Sequence, residues 1–262
     1  MSKTADSFET YYKFNKPNEN DPIIFIHGIG LNNKIWDEQI SYFKNYSTIV
    51  YDLIGHGKTP LNKTQIDMKD FVKQLLKLAD DLNINKFHLV GFSIGSLIAR
   101  DFAALYSDRL STLTIFGTVY KRSEDEKRQI INRYKTMKLK KDITKTRAVN
   151  RWFTEKFLKE NPEIYKKIYS MLEKTDHEVW LKIYKLFVQH EDDDMKIKQI
   201  TAKTLIITGQ EDVGSKPRMS EEISKLIQGS FCKIIKNGRH LCNIECAENF
   251  NLTLREFIDS HV

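Results

Sequence analysis

A serine hydroxyl is a poor nucleophile at neutral pH unless an imidazole takes its proton and a carboxylate holds that imidazole in the right tautomer. The 262-residue sequence supplies all three side chains in the order nucleophile, acid, base. Ser93 lies in Gly91-Phe92-Ser93-Ile94-Gly95, Asp212 ends Gly209-Gln210-Glu211-Asp212, and His240 ends Lys236-Asn237-Gly238-Arg239-His240. Such a set would transfer an acyl group to water through a serine ester, a reaction that needs neither metal nor cofactor. An acid could also follow the apolar run ending at Phe116, but Gly117-Thr118-Val119 offers none there. Asp212 is therefore the candidate.

The elements around these residues must place them together. Phe87-His88-Leu89-Val90 is too short for a helix and is bounded like a buried strand. Ser96 to Leu105 repeats apolar residues at helical spacing. Strand, Gly-x-Ser-x-Gly, helix is the context of a nucleophile elbow. Elsewhere, apolar runs at Ile23–Ile26, 47–51, 113–116, 204–208 and 231–235 alternate with helices near 36–43, 67–82, 217–227 and 245–260. That alternation indicates βαβ units and a parallel sheet. A further β-favouring run at 7–14 reads as an edge strand. The rhythm breaks between 120 and 195, where we read four helical stretches and no strand. Ser123-Glu124-Asp125-Glu126 and Thr175-Asp176-His177-Glu178 have capping-box form there. The chain thus divides into a core at 1–119, a helical cap at 120–195 with aromatic faces, and the rest of the core at 196–262. In a parallel sheet, ligands bind beyond the carboxyl ends of the strands. His27-Gly28-Ile29-Gly30, Asp52 to Gly57, Ser93, Asp212 and His240 all fall at such ends.

Composition narrows the classes. No apolar run approaches the roughly 20 residues that span a bilayer, and the start Met1-Ser2-Lys3-Thr4-Ala5-Asp6 lacks the apolar centre of a signal peptide. A cytoplasmic location is the expectation, with no membrane contact. Cys232, Cys242 and Cys246 are an odd number without a Cys-x-x-Cys pair, which argues against a disulfide framework and a zinc site. The net charge of +7 is concentrated, because 121–151 holds twelve Lys/Arg against four acids. Three readings of that segment stand: a solvated helix face, a docking surface for an acidic carrier protein, and steering of a small dicarboxylate. Nucleic acid is excluded, since no base-reading motif accompanies the charge. No nucleotide-binding glycine motif is present either.

These residues resemble the α/β-hydrolase superfamily, in the capped branch containing 3-oxoadipate enol-lactonases, pimeloyl-carrier-protein methyl ester esterases and related carboxylesterases. The resemblance rests on His27-Gly28-x-Gly30 with Trp36, Asp52-x-x-Gly55-His56-Gly57, Gly91-x-Ser93-x-Gly95, Gly209-x-x-Asp212 and His240. It implies an α/β-hydrolase fold, with a mostly parallel central sheet flanked by helices and an inserted all-helical cap. By the same resemblance Ser93 is the nucleophile, His240 the general base and then acid, and Asp212 its orienting carboxylate. The backbone N–H groups of Ile29 and Ile94 would form the oxyanion hole. Trp36 and Arg239 are candidates for touching the substrate. Arg239 stands where the family usually has glycine. Facing the pocket it would hold a substrate carboxylate; facing solvent it would do nothing. His27 and His56 read as structural, and His88, His177, His190 and His261 as solvated. Serine at position 93 argues against haloalkane dehalogenases and epoxide hydrolases, which need aspartate there. The resulting expectation is a cofactor-free serine hydrolase of a carboxylic ester or lactone. A carrier-bound acyl methyl esterase, a non-catalytic ligand receptor on the same fold, and carbon–carbon bond hydrolysis or perhydrolysis remain open beside it.

Overall fold

The computed structural model describes residues 2–4 and 8–261, and within 141–143 the backbone alone. Met1, Ala5 and Asp6 of the polar start and Ser7 of the expected first strand lie outside the described residues. Eight strands form one sheet: β1 (Ser2–Lys3), β2 (Tyr11–Asn15), β3 (Ile23–Ile26), β4 (Thr48–Tyr51), β5 (Phe87–Phe92), β6 (Leu110–Phe116), β7 (Thr204–Gly209) and β8 (Phe231–Ile235). Their spatial order is β1-β2-β4-β3-β5-β6-β7-β8, with β2 antiparallel to β1 and β4 and all other pairs parallel. Every residue of β3, β4, β5 and β7 is buried, which explains their continuous apolar sequences. The expected strand at 7–14 begins only at Tyr11. Glu9 takes a φ of 48°, which breaks extended pairing, and the Tyr11 N–H goes instead to Thr59 Oγ1 at 2.9 Å.

The helices of the sheet layers are α1 (Asp37–Tyr42), α2 (Met68–Asp81) and α3 (Ile94–Tyr106), and, in the last part of the chain, α10 (Pro217–Ser224), α11 (Cys242–Glu245) and α12 (Ala247–Asp259). Helix α2 buries Phe71, Val72, Leu75, Leu78 and Ala79 at helical spacing, and Asp67 and Asp70 form its capping box. The closing helix expected at 245–260 is interrupted at Cys246.

Between β6 and β7 lie α4 (Glu124–Leu139), α5 (Lys141–Trp152), α6 (Glu155–Glu160), α7 (Pro162–Lys174), α8 (His177–Gln189) and the single turn α9 (Asp194–Ile197). Sequence patterning gives four helical stretches here, whereas the chain forms five and that final turn. The break at Lys140 escapes detection because no glycine or proline marks it; the backbone simply leaves the helical region there (φ −139°, ψ 77°). The Ser123 capping box forms as expected. At α8 the cap is Asp176, not Thr175; the Thr175 hydroxyl donates instead to the Gly30 carbonyl at 3.2 Å.

One buried cation fastens this insertion where it joins the sheet. Arg100 on α3, 4% exposed, donates to the Val119 carbonyl at 2.9 Å, to Thr118 Oγ1 at 3.3 Å and to Asp192 Oδ1 at 3.0 Å. Asp192 Oδ2 in turn accepts the Lys121 N–H at 2.8 Å. Both crossings of the chain, near 119 and near 192, thus meet on one guanidinium. Burial alone would raise the Asp192 carboxyl, but His190 and Arg100 pull it down to about 2. Arg100→Met removes the main counter-charge from a partly buried carboxylate, and we expect a stability loss of about 2–4 kcal/mol. Denaturant unfolding of the variant checks this, and an unchanged midpoint would contradict it.

Candidate active site

The sheet order reverses beside β3, since β4 lies on one side of it and β5 on the other. The crevice beyond that switch point receives the loop after β3 and the turn after β5. Ser93 occupies that turn at φ 56° and ψ −116°, a left-handed conformation unusual for a side-chain-bearing residue. Neighbouring contacts hold it there. The Ser93 N–H donates to the Phe116 carbonyl at 2.9 Å, and its carbonyl accepts from Ser96 Oγ at 2.5 Å. Glycine is required at 91, because a Cβ there would lie 2.3 Å from the Gly95 carbonyl oxygen. Ile94 opens α3, so its N–H has no acceptor within the helix.

The loop after β3 is built by two buried histidines. His27 Nε2 accepts the Leu53 N–H at 2.9 Å while its Nδ1 lies 2.7 Å from the Gly28 carbonyl. His56 Nε2 accepts the Gly30 N–H at 3.0 Å and its Nδ1 meets the Ile54 carbonyl at 3.1 Å. Each ring must therefore be neutral, with its proton on Nδ1. The Gly30 N–H is occupied by His56, and the Leu31 N–H by the Gly28 carbonyl at 3.3 Å. Gly28 and Ile29 are left on the cavity wall with Ser93. Asp52 secures the next loop, accepting Asn33 N–H at 2.8 Å and Lys58 N–H at 2.9 Å.

His240 Nδ1 lies 2.6 Å from Asp212 Oδ2. The other oxygen of Asp212 accepts the N–H groups of Gly214 and Ser215, at 2.8 and 2.9 Å. A Cβ on Gly209 would lie 2.3 Å from the Gly238 and Arg239 carbonyl oxygens, so the loops carrying Asp212 and His240 meet only over a glycine. Ser93, Asp212 and His240 all line one cavity, roofed by Ile130, Trp152, Tyr184 and Phe187 of the inserted helices. The three residues selected from sequence are brought together.

Trp36 and Arg239 are not part of the cavity wall. Trp36 is fully buried beneath it, 5.0 Å from the Phe25 ring and 6.5 Å from those of Phe92 and Phe116. Its long apolar body fills core space rather than pocket. Arg239 faces neither the pocket nor open solvent. It donates from Nη1 to the Phe153 carbonyl at 2.9 Å and the Asn150 carbonyl at 3.1 Å, at the end of α5. Leu241 N–H bonds the Trp152 carbonyl at 3.1 Å. Glu245 joins the same turn, accepting Arg239 N–H and Thr154 N–H, each at 2.7 Å. His88 is likewise buried rather than solvated, with Nδ1 2.9 Å from Thr112 Oγ1.

Sequence reasoning singled out the basic segment but not which of its cations face inward. Arg122, Arg133 and Arg151 of the basic segment line the cavity instead of a solvated face. Arg122 stacks 4.6 Å from the Phe187 ring centroid. The available signal was the adjacency of Arg151 to Trp152 and of Arg133 to Tyr134.

The family described as the alpha/beta hydrolase fold matches the chain over residues 21–246. The chain belongs to this family. It is a hydrolase with an eight-stranded, mostly parallel sheet flanked by helices. It is 26% identical over 267 residues to (E)-2-((N-methylformamido)methylene)succinate hydrolase of Acinetobacter baylyi, covering 99% of this chain and 95% of that one. It is also 26% identical over 250 residues to 3-oxoadipate enol-lactonase 2 of the same organism, covering 94% and 90%. Among solved structures, the enol-lactonase from Burkholderia xenovorans LB400 superposes with a TM-score of 0.88 at 22% identity, over 97% of this chain and 98% of that chain.

The buried imidazoles impose a pH dependence on this hydrolase. Burial lowers His27 to about 4 and His88 to about 4, and burial together with the nearby His27 lowers His56 to about 3. An unfolded histidine takes up its proton near 6.5. The unfolded chain therefore binds more protons than the folded one between about pH 6.5 and 4, so stability is intact above that window and falls through it as acid is added. We expect a slope of about 1.4 kcal/mol per pH unit for each histidine, roughly 4 for the three. Urea midpoints measured from pH 7.5 to 4.5 check this, and a flat profile would refute it.

Proposed function

We propose that this hydrolase cleaves a carboxylic ester or lactone through an acyl-enzyme on Ser93. The observation that carries the reading is the 2.6 Å contact of His240 Nδ1 with Asp212 Oδ2 beside a cavity that Ser93 also lines. Asp212 Oδ1 already accepts two backbone N–H groups. Its Oδ2 holds the Nδ1 proton of His240, which leaves Nε2 as the basic nitrogen. In the first step Ser93 Oγ bonds to the acyl carbon while His240 Nε2 takes the hydroxyl proton, and the carbonyl electrons move onto oxygen. The N–H groups of Ile29 and Ile94 stabilise that oxyanion, the latter at the positive end of α3. Collapse expels the alcohol or enol oxygen, which takes the proton from His240. A water then gives its proton to His240 and bonds to the acyl carbon, and Ser93 leaves with the proton restored.

In this reading 120–195 is the cap of a core formed by 1–119 and 196–262, and its aromatic side chains exclude water from the acyl group. The similarity to an enol-lactonase agrees with ester or lactone cleavage. Beyond the substrate and the attacking water, these steps call on the chain's own side chains and backbone N–H groups.

A fluorophosphonate probe should label the wild-type chain at Ser93 and leave Ser93→Ala unlabelled, as read by intact mass and peptide mapping. Asp212→Asn should lower turnover of a nitrophenyl ester by about 10⁴ through the wrong imidazole tautomer. Absence of labelling in the folded wild-type protein would remove the serine mechanism and leave the ligand-receptor reading.

A further inference from the structure

We infer that the substrate carries a carboxylate, held by Arg133 on α4 and Arg151 on α5 while its acyl carbon lies at Ser93. This rests on the hydrolase reading of the same cavity and adds the class of molecule that enters it.

The inference follows from the charges on the cavity wall. Arg122, Arg133 and Arg151 all line it, together with two acids, Glu126 and Asp212. Both acids are already engaged. Glu126 accepts from Lys216 at 2.9 Å, Arg218 at 3.1 Å and the Ser123 N–H at 2.8 Å. Asp212 is held by His240 and two backbone N–H groups. Arg122 is occupied as well, donating to the Phe187 carbonyl at 3.2 Å over the Phe187 ring. Arg133 and Arg151 have no carboxylate within ion-pairing distance among the described residues.

An unpaired guanidinium normally projects into water. Arg151 instead sits beside Trp152 and Tyr184, and burial, reinforced by Arg133 and only partly offset by Tyr184 and Asp212, lowers it to about 10. It remains charged at neutral pH, so the folded chain keeps two like charges close together and partly desolvated. That arrangement costs free energy in the empty cavity and is relieved when an anion arrives. A planar carboxylate matches the donor fork of a guanidinium. With the anion at the α4–α5 wall and Ser93 on the sheet side, the ester or lactone carbonyl and the acid group must belong to one small molecule.

Binding of succinate and adipate to the full-length Ser93→Ala chain tests this by calorimetry, with dimethyl succinate and inorganic phosphate as comparison ligands. The dicarboxylates should bind and dimethyl succinate should not. Arg133→Gln and Arg151→Gln should each weaken dicarboxylate binding by about 10- to 100-fold, the loss of one charged hydrogen-bonded contact. On the Ser93-active chain the same changes should lower the kcat/KM ratio of a dicarboxylic acid monoester to its neutral diester. Thermal melts establish that each variant is folded, and either variant alone carries the test. Dicarboxylate affinity unchanged in both folded variants, equal binding of the neutral diester, or binding of phosphate but neither dicarboxylate would overturn the inference. Fluorophosphonate labelling of Ser93 without any dicarboxylate binding would overturn it while leaving the serine mechanism intact. Dicarboxylate binding without labelling would support it and remove the mechanism instead.

Discussion

The close approach of α3 to the ends of β3 and β5 is the constraint on which the site depends. Ser93 can hold a φ of 56° only because Gly91 lets the turn fold back to within contact of the Gly95 carbonyl. The strain of that conformation, of order 1–3 kcal/mol, is absorbed by packing on both sides. Phe92 stacks on Phe116 at 4.7 Å between ring centroids and lies 4.8 Å from the His240 ring. Loosening the turn would therefore disturb the His240 ring as well as the Ser93 hydroxyl. Local strain, core packing and the imidazole's position are a single problem, solved at one strand end.

The second half of the site is tied to the inserted helices rather than to the sheet alone. Residues on both sides of His240 bond to the last turn of α5, where helix carbonyls lack partners of their own. A guanidinium at a helix C-terminus also meets the negative end of its dipole. Arg239 thus acts as a cap for α5 and as a brace for the loop that carries His240. Glu245 closes the brace by accepting from both segments. A shift of α5 would move Arg151 and His240 together, so these two side chains keep their spacing.

The core of this fold, and the strand ends that gather Ser93, Asp212 and His240 at one cavity, were legible because each is written locally. Buried parallel strands give unbroken apolar runs, amphipathic helices give a period, and Gly91-x-Ser93-x-Gly95 spells its own turn. The roles that were misread depend on distant partners. Trp36 follows the loop after β3 in sequence, yet the ring turns inward because Phe25, Phe92 and Phe116 leave a space of its size. Arg239 adjoins His240, yet its direction is decided by carbonyls near 150. The basic segment was visible as a charge count, but a count cannot say which of twelve cations faces inward. Only the packing of α4 against α5 and α8 sorts Arg133 and Arg151 from Lys135 and Lys138.

The electrostatics of the two cavity walls are opposite in kind. On the sheet side burial drives His27 and His56 to neutrality, and their lone pairs hold the N–H groups of Gly30 and Leu53. A protonated ring at either place would lose an acceptor and push the loop away, so the loop after β3 depends on charge being absent. On the helical side burial cannot neutralise a guanidinium at any ordinary pH, and charge persists without a partner. A histidine can resolve its desolvation by shedding a proton; an arginine can resolve it only by acquiring an anion. In the proposed reading the residue types divide the work between the walls: neutral groups shape the loop beside Ser93, and permanent cations recognise what is brought to it.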